Sequence, residues 1–302
     1  MKHLLKMSDL SKTELYELLD FADKLKKEVK ANIYKPYLQN KTLGLIFEKS
    51  STRTRVSFEV GMQQLGGYPL FLNANDLQIG RGEPIKDSAR VLSRYLDGIM
   101  IRTFHQSDID AFAQYGSIPI INGLSDYAHP CQVLADLMTI REFKGKLAGL
   151  KMCYIGDGNN MCNSLIVGAL TAGMKIHVAT PKGYEPAKDI TNKASKHEDF
   201  KLVNDPKMAV KNADVVVCDV WASMGDEDQK EERTKIFQDT YQVNKSIMQL
   251  AKKDAMVLHC LPAHLEEEIS EQVFEAHAKE IFEEAENRLH VQKAVLVKLM
   301  ND

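Results

Sequence analysis

Apolar positions along the chain repeat with two periods, and the alternation between them lays out the elements. Leu15, Leu18, Leu19, Ala22 and Leu25 recur at helical spacing, which predicts an amphipathic helix over residues 13–29, capped by Ser11 or Thr13 and stopped before Pro36. Residues 41–47 (KTLGLIF) are a short apolar run of strand length. Helical spacing returns with Val56, Phe58, Val60, Met62 and Leu65 and ends at Gly66 and Gly67. A polar, glycine-containing loop follows at 73–84 (NANDLQIGRGEP), and connections of that length are commonly functional. Residues 86–96, 107–115 and 133–143 read as helices, and 98–102 and 118–121 as strands. A second series begins near 147–150, with strands at 151–155, 175–179, 202–203, 214–220 and 255–260 and a long final helix over 285–300.

Strands alternating with helices in this way predict the α/β class, as two doubly wound parallel-sheet domains with the active site in the cleft between them. The boundary is placed at 144–148: one domain over 1–146, a second over 147–284, and the helix at 285–302 packing back on the first. The 302 residues suffice for two such cores. A formal net charge of −3, with acids and bases interspersed, argues against a nucleic-acid footprint, which needs a basic patch. No apolar run approaches the roughly 18 residues of a membrane span. The N-terminal residues lack the apolar core and cleavage site of a signal peptide. Five cysteines without a C-x-x-C pair suggest neither a disulfide framework nor a zinc site, and fit a reduced, cytoplasmic setting.

In parallel sheets of this kind ligands gather at the carboxyl ends of the strands. Ser51, Thr52, Arg53, Thr54 and Arg55 stand where the first strand gives way to a helix. A helix start offers free N–H groups and partial positive charge, and hydroxyls and guanidinium forks there add donors matched to phosphate. The plain alternative is a Ser/Thr cap beside two solvated arginines. Arg102 ends the next strand and the segment from His129 to Gln132 follows another, so three strand ends deliver polar groups to one edge. In the second half, Gly156-x-Gly158 after a strand starts like a dinucleotide-binding turn. Met161 stands in place of the third glycine, however, and no acidic residue closes the following strand, so a nicotinamide cofactor is set aside. Asn160 remains there as a candidate ligand contact. Asp219, Ser223 and Gly225 after a further strand could hold an amino acid's ammonium group, with a simple Asp cap as the alternative. Cys260 is either a nucleophile or a small buried residue. Arg288 opens the last helix as a solvated charge or a second phosphate fork.

Four motifs, in order, carry a resemblance. Ser51-Thr52-Arg53-Thr54-Arg55, His129-Pro130-Cys131-Gln132, Asp219-Val220-Trp221-Ala222-Ser223-Met224-Gly225 and His259-Cys260-Leu261-Pro262 resemble the aspartate/ornithine carbamoyltransferase family, over the whole chain. The likeness is to its ornithine-using branch, since aspartate-using members carry Thr where Cys131 stands and lack Ser-Met-Gly and His-Cys-Leu-Pro. The resemblance implies transfer of the carbamoyl group of carbamoyl phosphate to the side-chain amine of L-ornithine, giving citrulline and phosphate in arginine metabolism, without metal or organic cofactor. It implies that the 1–146 domain binds carbamoyl phosphate and the 147–284 domain binds ornithine. Ser51, Thr52, Arg53, Thr54 and Arg288 would hold the phosphate, and Arg102 would bridge phosphate and carbonyl oxygen. His129 and Gln132 would hold the carbamoyl group, with Cys260 and Leu261 lining its amide side. Asn160, Asp219, Ser223 and Met224 would bind ornithine, Cys260 orienting the amine beside Asp219. Gln78 would reach a neighbouring subunit's site in a homotrimer or an assembly of trimers.

Two departures stand out. Ser88 follows Lys86-Asp87 where the family usually has Thr, which keeps the hydroxyl, and residues 263–268 (AHLEEE) replace a Gly-Tyr-Glu-like segment, leaving Glu267 or Glu268 to take that part. Three other readings remain. Putrescine or an acylated ornithine as acceptor would leave the amino-acid contacts at 219–225 unexplained for a diamine. A nucleotide-dependent oxidoreductase would leave 51–55 and 129–132 without a task. The third is a phosphate-sensing protein without catalysis.

Overall fold

The structure, a computed structural model, describes residues 1–222 and 227–301. The chain divides into two compact units, Met1–Ala135 with the segment from Asn287 onward, and Asp136–Glu286. It passes from one to the other inside two helices rather than in loops.

The first unit begins with α1 (Lys12–Lys30), which buries Leu15, Leu18, Leu19, Ala22 and Leu25. Its cap is Ser11: Glu14 N–H donates to Ser11 Oγ at 3.2 Å and Ser11 N–H to Glu14 Oε2 at 3.0 Å, a reciprocal capping box. Then follow β1 (Thr42–Phe47), α2 (Thr52–Gln64), β2 (Tyr68–Asn73), α3 (Ile85–Leu92), β3 (Gly98–Arg102), α4 (Gln106–Tyr115), β4 (Ile120–Leu124) and α5 (Pro130–Lys144). The strands pair in parallel in the order β2-β1-β3-β4. Ile46, Ile99, Ile101 and Ile120 pack with Ala89, Ile109 and Phe112 on one side.

The sequence reading left residues 68–72 unassigned and so missed β2. It is an edge strand paired only to β1, and Pro69 lies in it, which is tolerated at an edge and hides the strand signature. The polar loop that follows holds two single 3₁₀ turns, Ala74–Asp76 and Gln78–Arg81. On α2, Phe58 and Met62 are buried, whereas Val56 is 51% exposed.

The second unit holds β5 (Lys151–Ile155), α6 (Asn160–Ala172), β6 (Lys175–Ala179), α7 (Lys188–Ala194), β7 (Phe200–Val203), α8 (Pro206–Val210), β8 (Val215–Cys218), α9 (Lys230–Phe237), α10 (Lys245–Met248), β9 (Met256–His259), α11 (Glu271–Ala276) and the start of α12 (Ala278–Met300). Its parallel order is β7-β6-β5-β8-β9. Every residue of β8 and β9 is buried, as parallel strands covered on both faces require. Because α12 starts well before residue 285, Arg288 lies inside the helix rather than at its opening.

In each sheet the chain winds outward from one strand, then returns to build the other way. The reversal falls between β1 and β3 in the first unit and between β5 and β8 in the second. Diverging connections leave a crevice at the carboxyl ends of such a strand pair, which is where ligands of this fold class bind. Ser51 to Thr54 and Arg102 follow or end β1 and β3, and Asn160 and Asp219 follow β5 and β8, so these sequence-predicted residues stand beside the two reversals.

Candidate active site

At the first reversal, Phe47 pairs with Arg102 across β1 and β3, and Glu48 N–H donates to Arg102 O at 2.8 Å. The Glu48 carboxylate then accepts from Thr103 Oγ1 and from Phe104 N–H, so it ties the two strand ends together. Ser51 caps α2, accepting from Thr54 N–H at 3.3 Å. Thr52 is exposed on the first turn, and Thr54, 1% exposed, turns inward. Thr54 Oγ1 receives long contacts from Arg102 Nη1 at 3.5 Å and Arg288 Nη2 at 3.4 Å. Arg288 Nη1 also donates to Gln132 Oε1 at 2.6 Å. Two buried guanidinium groups thus converge on the start of α2, from residues far apart in the chain.

His129 is 5% exposed among these cations. Burial first, then the charges of Arg288, Arg102 and Arg53, hold its pKa well below the usual 6.5. At neutral pH it is therefore an uncharged imidazole with one N–H to give. The turn before it is built by two residues that the sequence reading passed over. Ser125 Oγ accepts from Ala128 N–H at 3.1 Å, and Asn122 Nδ2 donates to Ala128 O at 3.3 Å. Cys131 is buried and its thiol is pushed up to about 12. Arg55 does not join the cluster: its Nε donates to Glu59 Oε1 at 3.0 Å and its guanidinium lies 3.7 Å from the centre of the Phe71 ring, on β2. Gln78 is exposed at the start of its 3₁₀ turn, where its carbonyl accepts from Glu83 N–H at 3.1 Å.

At the second reversal the centre is Asp219, just past β8 and 6% exposed. Its Oδ1 accepts from Val220 N–H at 2.8 Å and from the Cys260 thiol at 3.1 Å, and its Oδ2 from Asn159 Nδ2 at 2.8 Å. Burial and the Asp219 carboxylate push the Cys260 thiol well above its usual range. It stays protonated and donates, which removes the thiolate a covalent nucleophile needs. Asn159 also caps α6, its Oδ1 accepting from Met161 and Cys162 N–H at 3.0 and 3.1 Å. Asn160 is the first residue of that helix and 8% exposed.

The segment after Asp219 is pinned by Trp221, stacked on Phe237 at 5.7 Å between ring centres. Arg233 Nη1 donates to Trp221 O at 3.0 Å and pairs with Asp157 at 2.7 Å. Ser223 and Met224 lie outside the described residues.

The His259-Cys260-Leu261 segment is fixed by its own histidine. Leu261 N–H donates to His259 Nδ1 at 2.9 Å, so in the neutral ring Nε2 carries the proton and gives it to Glu268 Oε1 at 3.0 Å. His259 N–H donates to Glu284 Oε2 at 2.9 Å. Leu261 sits at φ 59°, a sparsely occupied region for a non-glycine residue. Of the two glutamates left open by the sequence, Glu268 is buried in this network, while Glu267 pairs with Lys230 at 2.9 Å. Ligand atoms of His264, Glu267 and Glu268 lie within 4.8 Å of one another. A cation there would compete with Lys230 for Glu267 and with the His259 ring and His264 N–H for Glu268.

The Gly156-x-Gly158 turn has a packing explanation. A Cβ at Gly158 would come within 2.3 Å of the backbone of Glu185 and Pro186, and Gly158 N–H donates to Tyr184 O at 2.9 Å. Chain, rather than a pyrophosphate, occupies the space this glycine leaves.

Known proteins resemble the chain over nearly its whole length. Residues 2–142 match the model of the aspartate/ornithine carbamoyltransferase carbamoyl-P binding domain, and residues 148–299 match that of the Asp/Orn binding domain. An ornithine carbamoyltransferase of Carboxydothermus hydrogenoformans is 54% identical, over 99% of this chain and 97% of its own. The structure of the ornithine carbamoyltransferase from Pyrococcus furiosus superposes with a TM-score of 0.94 at 48% identity, over 99% of this chain and 97% of that one. The anabolic ornithine carbamoyltransferase from Campylobacter jejuni does so with a TM-score of 0.93 at 45% identity, covering 99% of each. The chain belongs to the aspartate/ornithine carbamoyltransferase family.

Proposed function

We propose that the protein transfers the carbamoyl group of carbamoyl phosphate to the side-chain amine of L-ornithine, releasing citrulline and phosphate. The observation that carries this reading is the convergence of Arg53, Arg102 and Arg288 on a neutral, buried His129 beside the start of α2. A doubly charged phosphate fits three cations and a helix N-terminus.

In this reading the first unit binds carbamoyl phosphate and the second binds ornithine. Ser51, Thr52, Arg53, Thr54 and Arg288 hold the phosphate, and Gln132 holds the carbamoyl amide. The amine nitrogen attacks the carbonyl carbon, the bond to the phosphate oxygen breaks with its electron pair leaving on phosphate, and the proton the amine sheds ends on the departing phosphate. Charge that gathers on the carbonyl oxygen meets Arg102 and the His129 N–H, donors already in place before reaction. A neutral imidazole there can donate without competing for the phosphate as a fourth anion-binding charge. Asp219 and the protonated Cys260 orient the amine, Leu261 lines the carbamoyl amide, and Asn160, Ser223 and Met224 complete the amino-acid site. No carbamoyl-enzyme on Cys260 is needed.

We further assign the exposed Gln78 to a neighbouring subunit's site in a homotrimer, and the activity to arginine metabolism in the cytoplasm. Citrulline formation from carbamoyl phosphate and L-ornithine tests the whole reading, with putrescine and an N-acylated ornithine as rival acceptors. Turnover with either rival and none with ornithine would overturn it.

A further inference from the structure

The Arg288 side chain is held by a residue to which neither the motifs nor the proposed chemistry gives a role. Gln292 lies one helical turn further along α12 and is 0% exposed. With its carboxamide oxygen turned to the guanidinium, it accepts from Arg288 Nε at 3.1 Å and Nη2 at 3.0 Å. In the same orientation its nitrogen donates to Ser57 Oγ at 2.6 Å and to Arg288 O at 3.2 Å. The opposite orientation would set the amide N–H₂ against guanidinium donors and its oxygen against a carbonyl, so the hydrogen-bond pattern selects this one. Ser57 Oγ in turn donates to the Thr54 carbonyl at 3.2 Å.

A continuous path therefore runs from the guanidinium through Gln292 and Ser57 to the first turn of α2. The two ends of that path are the parts that would face the phosphate: a planar fork and the first turn of α2. Arg288 has four rotatable bonds, and a fork delivers paired contacts only when its plane is set. Gln292 occupies the Nε/Nη2 edge, which leaves Nη1, bonded to Gln132, and the outer N–H of Nη2, directed to Thr54, facing the site.

We propose that Gln292 is a positioning residue that sets the Arg288 guanidinium in register with the start of α2, and so tunes affinity for the phosphate group. This rests on the phosphate-site reading above. The role needs a neutral amide. An apolar side chain of the same size fills the space without aiming the fork, and a carboxylate aims it but cancels its charge.

The test uses the full-length protein and inorganic phosphate as probe, measured by calorimetry, with carbamoyl phosphate kinetics alongside. Gln292→Met should weaken phosphate binding about tenfold and raise KM for carbamoyl phosphate similarly, while KM for ornithine stays within about twofold. Gln292→Glu should weaken phosphate binding at least as much, although it is isosteric and keeps the acceptor. Melting temperatures of the variants identify any that fail to fold, and Ser57→Ala offers a second, milder break in the same path with the same selective effect. Unchanged phosphate affinity in folded Gln292→Glu and Gln292→Met would overturn the proposal and leave Gln292 as packing. If the unsubstituted protein binds no phosphate, the site reading itself falls and this inference falls with it.

Discussion

Replacing Asp219 by asparagine changes one atom and tests how the second half-site is wired. The carboxylate accepts from three donors: Val220 N–H and the Cys260 thiol on Oδ1, and Asn159 Nδ2 on Oδ2. An amide has a single acceptor oxygen. Keeping that oxygen toward Val220 and Cys260 turns the new N–H₂ against the Asn159 N–H₂, which now lies 2.8 Å from the replaced atom. Asn159 cannot rotate to answer, because its oxygen already caps α6 through Met161 and Cys162. One buried donor is left unmet, at about 1–3 kcal/mol. For a unit of this size that lowers the melting temperature by roughly 2–12 °C. Loss of a charge-assisted contact to the substrate amine should lower kcat/KM for ornithine roughly 10- to 150-fold, with KM for carbamoyl phosphate little changed. A second substitution separates the two effects. Adding Asn159→Asp supplies an acceptor opposite the new amide and still caps the helix, so it should restore the melting temperature while leaving ornithine turnover low. An unchanged melting temperature in Asp219→Asn would refute the clamp, and recovery of turnover in the double variant would refute the need for the charge at position 219.

Other outcomes follow from the same geometry. Arg53→Ala should weaken carbamoyl phosphate binding by about 1.5–3 kcal/mol and cut turnover with it, since the group it holds also leaves; near-normal kinetics would remove Arg53 from the site. An alkylamine titrates near about 10.4 and only its neutral form attacks, so kcat/KM for ornithine should climb about tenfold per pH unit from about pH 6 upward. Cys260→Ser should keep that slope at lower turnover, and a trapped carbamoyl-enzyme on Cys260 would refute direct attack. His129 is held neutral in the fold, so between its lowered pKa and 6.5 the unfolded chain binds the extra proton and stability falls as pH falls, by up to about 1.4 kcal/mol per unit. Urea unfolding of His129→Asn between pH 5 and 7 should lose that share of the slope, and an unaltered slope would contradict the burial argument. Mixing Gln78→Ala with Arg53→Ala subunits should restore some activity if Gln78 serves a neighbour, and verified exchange without rescue would count against a shared site.

The fold class was legible because alternating short apolar runs and helical stripes repeat across both halves, and the strand-end motifs marked the ligand edge directly. What escaped had physical reasons. Proline in β2 disguised an edge strand, and without Phe71 in place Arg55 looked like a second phosphate fork rather than a surface stack. Glu48, Asn122, Ser125 and Asn159 belong to none of the four motifs; Glu48 and Asn159 hold Arg102 and Asp219 through contacts far along the chain, and Asn122 and Ser125 shape the turn before His129 locally. The glycine pair at 156 and 158 showed only an incomplete dinucleotide pattern, and the close approach of residues 184–186 that explains Gly158 had no signature in the sequence.

The first unit takes a part of itself from the segment beyond residue 286. Lys26 reaches Asn287 at 2.8 Å, Lys293 reaches Gln64 at 2.9 Å, and Arg288 closes on Thr54 and Gln132. During synthesis this imposes an order. The ribosome must deliver the entire second unit before the first can finish its fold, at about 5–20 residues per second. A nascent chain carrying all of β1 to β4 still lacks the Arg288 guanidinium that meets Thr54 and Gln132. Until then the early half is a sheet with an open flank, competent to collapse but lacking the contacts that the last helix brings to Lys26, Thr54, Gln64 and Gln132.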